Sequence, residues 1–421
     1  MITCERLRNG LQVVLKQVPW SQAVAINVLL RVGSRYESPA HQGISHFTEH
    51  LLFKGTTHRP TAFHIVNAIE RVGGDINAFT SEEYTSYVTL VPLAYFSLGL
   101  EVLADMLQNP LLRPRDLRIE RSVILEELAK LEDTPEELVY ELLSTLMWPD
   151  HPLGWSILGK AETLQSITRR DVLRYLATYY IPANTVISIV GNLDPSQAVD
   201  AVQRWFGEEA SPPPPSFLPA PEKQTAPAVL LRSQQSKETH LCLGIRALPR
   251  SHNDLPALLL LNIILAGGMS SRLFQKLRDR SGLAYYIHSE VITFADTGMV
   301  VIATGVNAAN VEKVIRLILE ELRHLKRRRV TERELLDARE HFKGSLILSL
   351  EDSASYGEWL GETLLLEGKV PQVTEVLERI EQVSREDILR LARTLFLPER
   401  LNLALIGPHT ETEAFLRLLD C

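Results

Sequence analysis

Cysteine is scarce in this sequence, and long apolar runs are absent from it. The three cysteines, Cys4, Cys242 and Cys421, are too few and too widely spaced for a disulfide framework, which favours a reducing compartment. The first residues lack the basic and apolar regions of a secretory signal peptide. No apolar run reaches the roughly 18 residues of a membrane-spanning helix. We therefore expect no membrane partner and a cytoplasmic location, provided that the chain is not a mature form from which a leader was removed.

An excess of basic charge is also absent. The sequence has 44 Lys and Arg against 52 Asp and Glu, a formal net charge of −8, and no basic run is interleaved with aromatic residues. This balance argues against a nucleic-acid partner. The short basic run at 326–329 is typical of an exposed helix end. Hydrophobic residues make up 45% of the chain, which is ordinary for a soluble globular protein.

A proline-rich segment divides the chain almost in half. Four consecutive prolines lie within 210–227, and this composition predicts an extended linker. The halves repeat each other weakly at an offset of 216 residues, which aligns 168–174 with 384–390. We therefore predict a domain at 1–209, a linker at 210–227 and a homologous domain at 228–421.

The periodicity of apolar residues predicts an α+β fold. Predicted strands lie at 10–17, 24–32, 76–80 and 84–91, and predicted helices at 61–72, 94–108, 116–133 and 136–147. We predict two tandem homologous domains, each an antiparallel-rich sheet backed by helices on one face.

The most informative motif lies at 43–50. His46 and His50 are four residues apart, so on a helix their side chains project from the same face. Glu49 lies beside His50, close enough to reach a water held by a metal there. The order H-x-x-E-H is a zinc-peptidase signature. In such sites two histidines and a more distant carboxylate leave a fourth position open for water.

The third metal ligand must come from another segment. The predicted helix at 116–133, with Asp116 as its N-cap, carries several carboxylates. Glu120 and Glu127 are two turns apart and share a face. Residue chemistry alone does not choose between Glu126 and Glu127, and an exposed helix glutamate is the simpler interpretation of either one.

The segment 43–56 resembles the active-site helix of the pitrilysin-like zinc metallopeptidases, the family of mitochondrial processing peptidase and insulin-degrading enzyme. The segment 120–127 resembles the family's second motif. The resemblance spans nearly the whole chain. It implies that His46, His50 and Glu127 bind Zn²⁺ and that Glu120 is a supporting acid.

Further resemblances concern substrate binding. The segment 73–80 is similar to the family's substrate-edge segment, which implies that Asn77, Ala78 and Phe79 bind the substrate backbone. Arg278 and Tyr285 match an arginine and a tyrosine that contact substrate near the scissile bond. A helix arginine is usually a surface residue, and Asn77 is as readily interpreted as a turn residue.

The resemblance thus implies a zinc endopeptidase with Glu49 as general base and Arg278 or Tyr285 stabilising the carbonyl oxygen. It implies extended or unfolded peptides as substrates and a homodimer enclosing a chamber. Two alternatives are a non-catalytic structural or chaperone-like subunit of a larger complex and a catalytic subunit that needs a different partner chain. Members of the first kind typically lose zinc ligands, whereas this sequence retains them.

Overall fold

The computed structural model describes residues 2–207 and 213–419. They form two compact units, each assembled from separate stretches of the chain. The first unit comprises the described residues within Met1–Ala129, Ser156–Leu218 and Ile347–Pro371, and the second comprises those within Lys130–Trp155, Pro219–Leu346 and Gln372–Cys421.

The described residues include eleven β-strands. They are β1 Ile2–Arg6, β2 Gln12–Gln17, β3 Ala23–Leu30, β4 Asp75–Thr80, β5 Thr85–Pro92, β6 Thr185–Gly191, β7 Ala228–Ser233, β8 Glu238–Arg246, β9 Ala284–Thr293, β10 Gly298–Asn307 and β11 Leu401–Gly407.

The same residues include sixteen α-helices. They are α1 Ile44–Leu52, α2 Ala62–Glu70, α3 Phe96–Gln108, α4 Pro114–Glu132, α5 Pro135–Met147, α6 Ala161–Ser166, α7 Arg169–Tyr179, α8 Pro195–Phe206, α9 Leu255–Ala266, α10 Arg272–Phe274, α11 Val311–Arg327, α12 Glu332–Ser349, α13 Ser353–Glu367, α14 Val373–Glu381, α15 Arg385–Leu395 and α16 Thr412–Leu419.

Each unit is built on one mixed sheet. The strand order is β1-β2-β6-β3-β5-β4 in the first unit and β7-β11-β8-β10-β9 in the second. One pair in each sheet is parallel, β2 with β6 and β7 with β11, and the other pairs are antiparallel. The central strand β3 is buried along nearly its whole length, as expected for an apolar strand covered on both faces. The α+β prediction is confirmed.

The internal repeat is visible in the elements themselves. Adding 216 to the bounds of α7 and β6 gives the bounds of α15 and β11. Both helices begin with a capping box, formed by Thr168 with Asp171 and by Ser384 with Asp387. Each box satisfies backbone N–H groups that the first helical turn leaves unpaired.

Each sheet also receives one helix from the other half of the chain. In the first unit α13 packs on β3 and β6, and in the second unit α5 packs on β8 and β11. Leu360 and Leu364 of α13 lie in a buried cluster with Leu29 and Val190. The compact units therefore do not coincide with the continuous segments 1–209 and 228–421 inferred from the linker. The part of that linker that is described, 213–227, contains no helix or strand.

One local prediction was wrong. Asp116 does not cap α4, because the helix begins at Pro114 and Asp116 lies in its first turn. There the Asp116 carboxylate accepts a hydrogen bond from Arg113 Nε at 2.8 Å. A proline at a helix start is favourable because its missing N–H would be unpaired there.

Cys4 and Cys242 are free thiols, and Cys421 lies outside the described residues. Among the helices of 2–207 and 213–419, none combines the length and apolar character that a membrane span requires.

Candidate metal centre and active site

The helix that carries the two histidines is fixed at its N-terminus. Gly43 precedes α1 with φ 89°, and a Cβ at this position would lie 2.7 Å from the Leu158 carbonyl oxygen. The buried Glu37 carboxylate accepts hydrogen bonds from the backbone N–H groups of Gly43 at 2.7 Å and Ser45 at 2.9 Å. These bonds pair N–H groups that the first helical turn leaves unsatisfied, and burial raises the pKa of Glu37 to about 8.

Three candidate metal ligands converge beside α1. The rings of His46 and His50 lie with their centroids 4.5 Å apart. Glu127, from α4, places Oε2 4.0 Å from His46 Nε2 and Oε1 3.9 Å from His50 Nε2. One ligand atom from each residue lies within 4.8 Å of the other two. The predicted ligand set is therefore brought together, whereas Glu126 is exposed.

These three side chains fit a zinc ion. The distances between their ligand atoms are too long for hydrogen bonds, and Glu127 Oε2, although buried, has no hydrogen-bond partner among the described residues. Ligand atoms around tetrahedral zinc lie about 2.0–2.2 Å from the metal, and therefore about 3.3 Å from one another. Burial and the neighbouring His50 lower the pKa of His46 to about 4, so this ring is neutral at neutral pH, as a metal ligand must be.

Glu120 contacts Nδ1 of His50, the ring nitrogen that does not face Glu127. Its carboxylate, with a side chain only 1% exposed, lies 3.1 Å from His50 Nδ1 through Oε2 and 2.8 Å from Lys54 Nζ through Oε1. Burial alone would raise the pKa of Glu120, but the hydrogen bonds from His50 and Lys54 lower it. The ionised carboxylate favours the His50 tautomer with its proton on Nδ1, which leaves the Nε2 lone pair for a metal.

Glu49 lies on the same helix, and its side chain is buried. It is 8% exposed, and its Oε2 accepts a hydrogen bond from Thr80 Oγ1 at 2.6 Å. Burial raises the pKa of Glu49, while the Thr80 hydrogen bond and the neighbouring His50 act in the opposite direction. A shielded carboxylate next to the ligand cluster suits proton transfer.

The predicted substrate segment forms the outer strand of its sheet. In β4, Asn77 and Phe79 are exposed, whereas Ala78 packs against the buried cluster that includes residues of α1. Asn77 Oδ1 accepts a hydrogen bond from the backbone N–H of Ala78 at 2.9 Å. Within the described residues β4 pairs only with β5, so its other edge has the geometry of a strand-pairing site.

Arg278 and Tyr285 belong to the second unit. Arg278 is exposed in a π-helical turn, Gln275–Asp279, that continues α10, and its guanidinium lies 5.1 Å from the ring centre of Phe274. Tyr285 is the second residue of the outer strand β9 and is 52% exposed. Both side chains are accessible in their own unit, and their role in catalysis remains a prediction.

Sequence reasoning missed three residues that support this site. Glu37 caps α1, Lys54 pairs with Glu120, and Thr80 pairs with Glu49. Lys54 could have been identified from its position four residues after His50, which places the two on one face of a helix. Thr80 could have been identified from its two-residue spacing from Ala78, which places both on one face of the strand.

Comparisons with known proteins point to one family. The family model described as Insulinase (Peptidase family M16) matches residues 12–161, and the model described as Peptidase M16 inactive domain matches residues 166–342. YmxG of Bacillus subtilis, named an uncharacterized zinc protease, is 39% identical over 96% of this chain and 97% of its own length. An uncharacterized zinc protease of Streptomyces coelicolor is 35% identical over 97% of this chain and 90% of its own length.

Two crystal structures share the fold. A protease from Helicobacter pylori superposes with a TM-score of 0.91 at 25% identity, covering 97% of this chain and 99% of the other. A peptidase M16 inactive domain from Pseudomonas fluorescens gives 0.90 at 19% identity, with coverage of 98% and 99%, and shows the fold alone. The family resemblance inferred from the sequence is confirmed by these matches, and the chain belongs to peptidase family M16.

Proposed function

We propose that this chain is a zinc-dependent endopeptidase that hydrolyses extended peptides or unfolded segments. The observation that carries the proposal is the convergence of His46, His50 and Glu127 beside the buried carboxylate of Glu49. The names of the relatives, zinc proteases, point to the same chemistry.

Each candidate residue has a separate role in the proposed hydrolysis. His46, His50 and Glu127 would hold Zn²⁺, which when bound acts as a Lewis acid on the peptide carbonyl and lowers the pKa of water. A Glu49 carboxylate oxygen accepts the proton of the attacking water and delivers it to the leaving amine nitrogen as the C–N bond breaks. Arg278 or Tyr285 donates a hydrogen bond to the developing carbonyl oxyanion.

Substrate recognition in this proposal is mainly through the backbone. An extended peptide adds to the free edge of β4 alongside Asn77, Ala78 and Phe79, which supply main-chain hydrogen bonds. A folded protein does not present its backbone in this way. The proposal therefore favours unfolded segments over folded proteins.

A cleavage-site profile on a mixed peptide library tests the activity. The purified protein should cleave the library, lose activity on chelation and regain it with zinc, while Glu49→Gln should remain inactive under all three conditions. Cleavage by the Glu49→Gln protein, or cleavage that chelation leaves unchanged, would refute the zinc mechanism. A non-catalytic subunit, the alternative function, would show no turnover in any condition despite binding zinc.

The assembly is also a proposal. One chain supplies two homologous domains, whereas single-chain members of the family have four, so we propose a homodimer whose chamber excludes water from the zinc site. Light scattering at assay concentration should give twice the chain mass of 47.4 kDa. A fully active monomer would contradict this assembly. A cytoplasmic location remains a prediction.

Mixing two impaired variants tests whether the chains complete each other's sites. A His50→Ala chain lacks a zinc ligand but retains Tyr285, and a Tyr285→Phe chain retains the zinc ligands. If Tyr285 acts across the dimer, activity of the mixture should exceed the sum of the separate variants. Activity equal to that sum would refute action across the dimer, and Arg278 and Tyr285, if functional, would then act within one chain.

A further inference from the structure

We propose that Thr80 is a positioning residue, whose hydroxyl holds the Glu49 carboxylate in the orientation required for proton transfer. This inference rests on the proposed peptidase function and adds a residue to its machinery. Thr80 lies 31 positions after Glu49 and on a different element, so no sequence motif links the two.

The contact is short and shielded. Thr80 Oγ1 lies 2.6 Å from Glu49 Oε2, within the range of about 2.5–2.7 Å for a hydroxyl donating to an ionised carboxylate. Glu49 is 8% exposed, so water competes little for this oxygen. Among the described residues, Thr80 is the side chain that hydrogen-bonds Glu49. Without it, the end of a flexible glutamate side chain would be free to rotate.

The position of Thr80 on β4 places its side chain on the inward face of the strand, towards Glu49. Thr80 is the last residue of β4, and its side chain follows Ala78 on the inward face, while Asn77 and Phe79 are exposed. The strand proposed to pair with substrate therefore also holds the general base. Because the hydroxyl contacts Glu49 and not the free strand edge, its loss should lower kcat and leave KM nearly unchanged.

Four variants separate positioning from fold stability. Thr80→Val preserves the shape and strand propensity of the side chain but removes its hydroxyl. Thr80→Ala removes both the hydroxyl and the methyl group, and Thr80→Ser keeps the hydroxyl. Thr89→Val is the matched control. Its buried hydroxyl donates to the Asp75 carbonyl at 2.8 Å, joining the same two strands at the end far from Glu49.

We expect Thr80→Val and Thr80→Ala to lower kcat about 10- to 100-fold, as for loss of one hydrogen bond to a charged group that acts in general-base catalysis. KM, zinc content and melting temperature should match those of Thr89→Val, which should retain wild-type kcat. Thr80→Ser should recover kcat to within about threefold of wild type. In a crystal structure of Thr80→Val, the Glu49 carboxylate should leave its wild-type orientation.

Several results would overturn the inference. They are an unchanged kcat in the hydroxyl-free variants, a rise in KM alone, failure of Thr80→Ser to recover turnover, or an unmoved Glu49 carboxylate. If one hydroxyl-free variant does not fold, the other decides. Failure of the proposed function is distinct, because the wild-type protein would then show no zinc-dependent cleavage at all.

Discussion

Replacing Glu120 by glutamine tests how the ligand cluster is supported. Glu120 does not belong to the group of candidate ligands, but its Oε2 lies 3.1 Å from His50 Nδ1, and its side chain is 1% exposed. Glutamine keeps the shape and one acceptor oxygen while removing the charge that favours the ligating tautomer of His50. The first effect should therefore be on zinc affinity and not on substrate binding.

The magnitude follows from the type of contact. Loss of a partner that orients a metal-binding histidine typically costs about 10- to 100-fold in metal affinity, or about 1.4–2.8 kcal/mol at tenfold per 1.4 kcal/mol. Lys54, the other partner of Glu120, is 32% exposed, so it can turn to solvent and adds little to the cost. Glu127→Gln should lose more affinity, because it replaces a direct ligand by a poorer oxygen donor. Glu126→Gln, an exposed position on the same helix, is the matched control.

Competition with a chelator of known affinity would rank the three variants. The rise of melting temperature with free zinc gives a second readout that does not depend on activity, since a ligand that binds only the folded state stabilises it by RT ln(1 + [L]/Kd). Melting temperatures without zinc should show that all three variants are folded. Wild-type affinity in Glu120→Gln, or equal losses in Glu126→Gln and Glu127→Gln, would refute this account of the site.

Three further predictions concern other residues. Glu49→Gln should retain zinc but lose at least about 100-fold in turnover, the contribution of a general base; metal analysis with a peptide assay would check this, and retained turnover would exclude Glu49 as the base. Tyr285→Phe should lower turnover while zinc content and melting temperature stay near wild type, because the side chain is 52% exposed; wild-type turnover would make Tyr285 a packing residue. Burial raises the pKa of Glu334, but hydrogen bonds from Arg272 and Thr331 outweigh burial and lower this pKa from 4.5 to about 2. The ionised carboxylate therefore stabilises the fold at pH values above 4.5, and this stabilisation is lost as the pH falls from about 4.5 towards 2. Glu334→Gln should accordingly be less stable than wild type by about 1–2 kcal/mol at pH 7, after allowance for solvent screening, with a smaller difference in denaturant unfolding at pH 3; a difference that does not change with pH would contradict this.

Local sequence determined part of the candidate site. The spacing of His46 and His50 fixes their common face as soon as α1 forms, because a helix repeats every 3.6 residues. The repeat that aligns 168–174 with 384–390 also follows local signals, because each helix cap and the acidic residue that completes its capping box are three residues apart. The observed bounds of some elements differ from the predicted bounds by a few residues. For example, α4 begins at Pro114 and not at Asp116, because helix ends depend on the contacts of the preceding loop.

Tertiary structure decided the partners of those residues. Residue chemistry could not choose between Glu126 and Glu127, and the packing of α4 turns Glu127 to the histidines and leaves Glu126 exposed. The pairing of Thr80 with Glu49 spans 31 residues and depends on where β4 lies beside α1.

The assignment of α5 and α13 to the sheets was likewise invisible in the sequence. Each helix packs on the sheet built mainly from the other half of the chain, although the repeat at 216 residues suggested two self-contained halves. An apolar helix face specifies that it must be buried but not against which sheet. The sequence by itself therefore determined which side chains share a helix turn or a strand face, and only the folded chain decided which elements meet, because contacts between distant segments depend on the packing of the whole core.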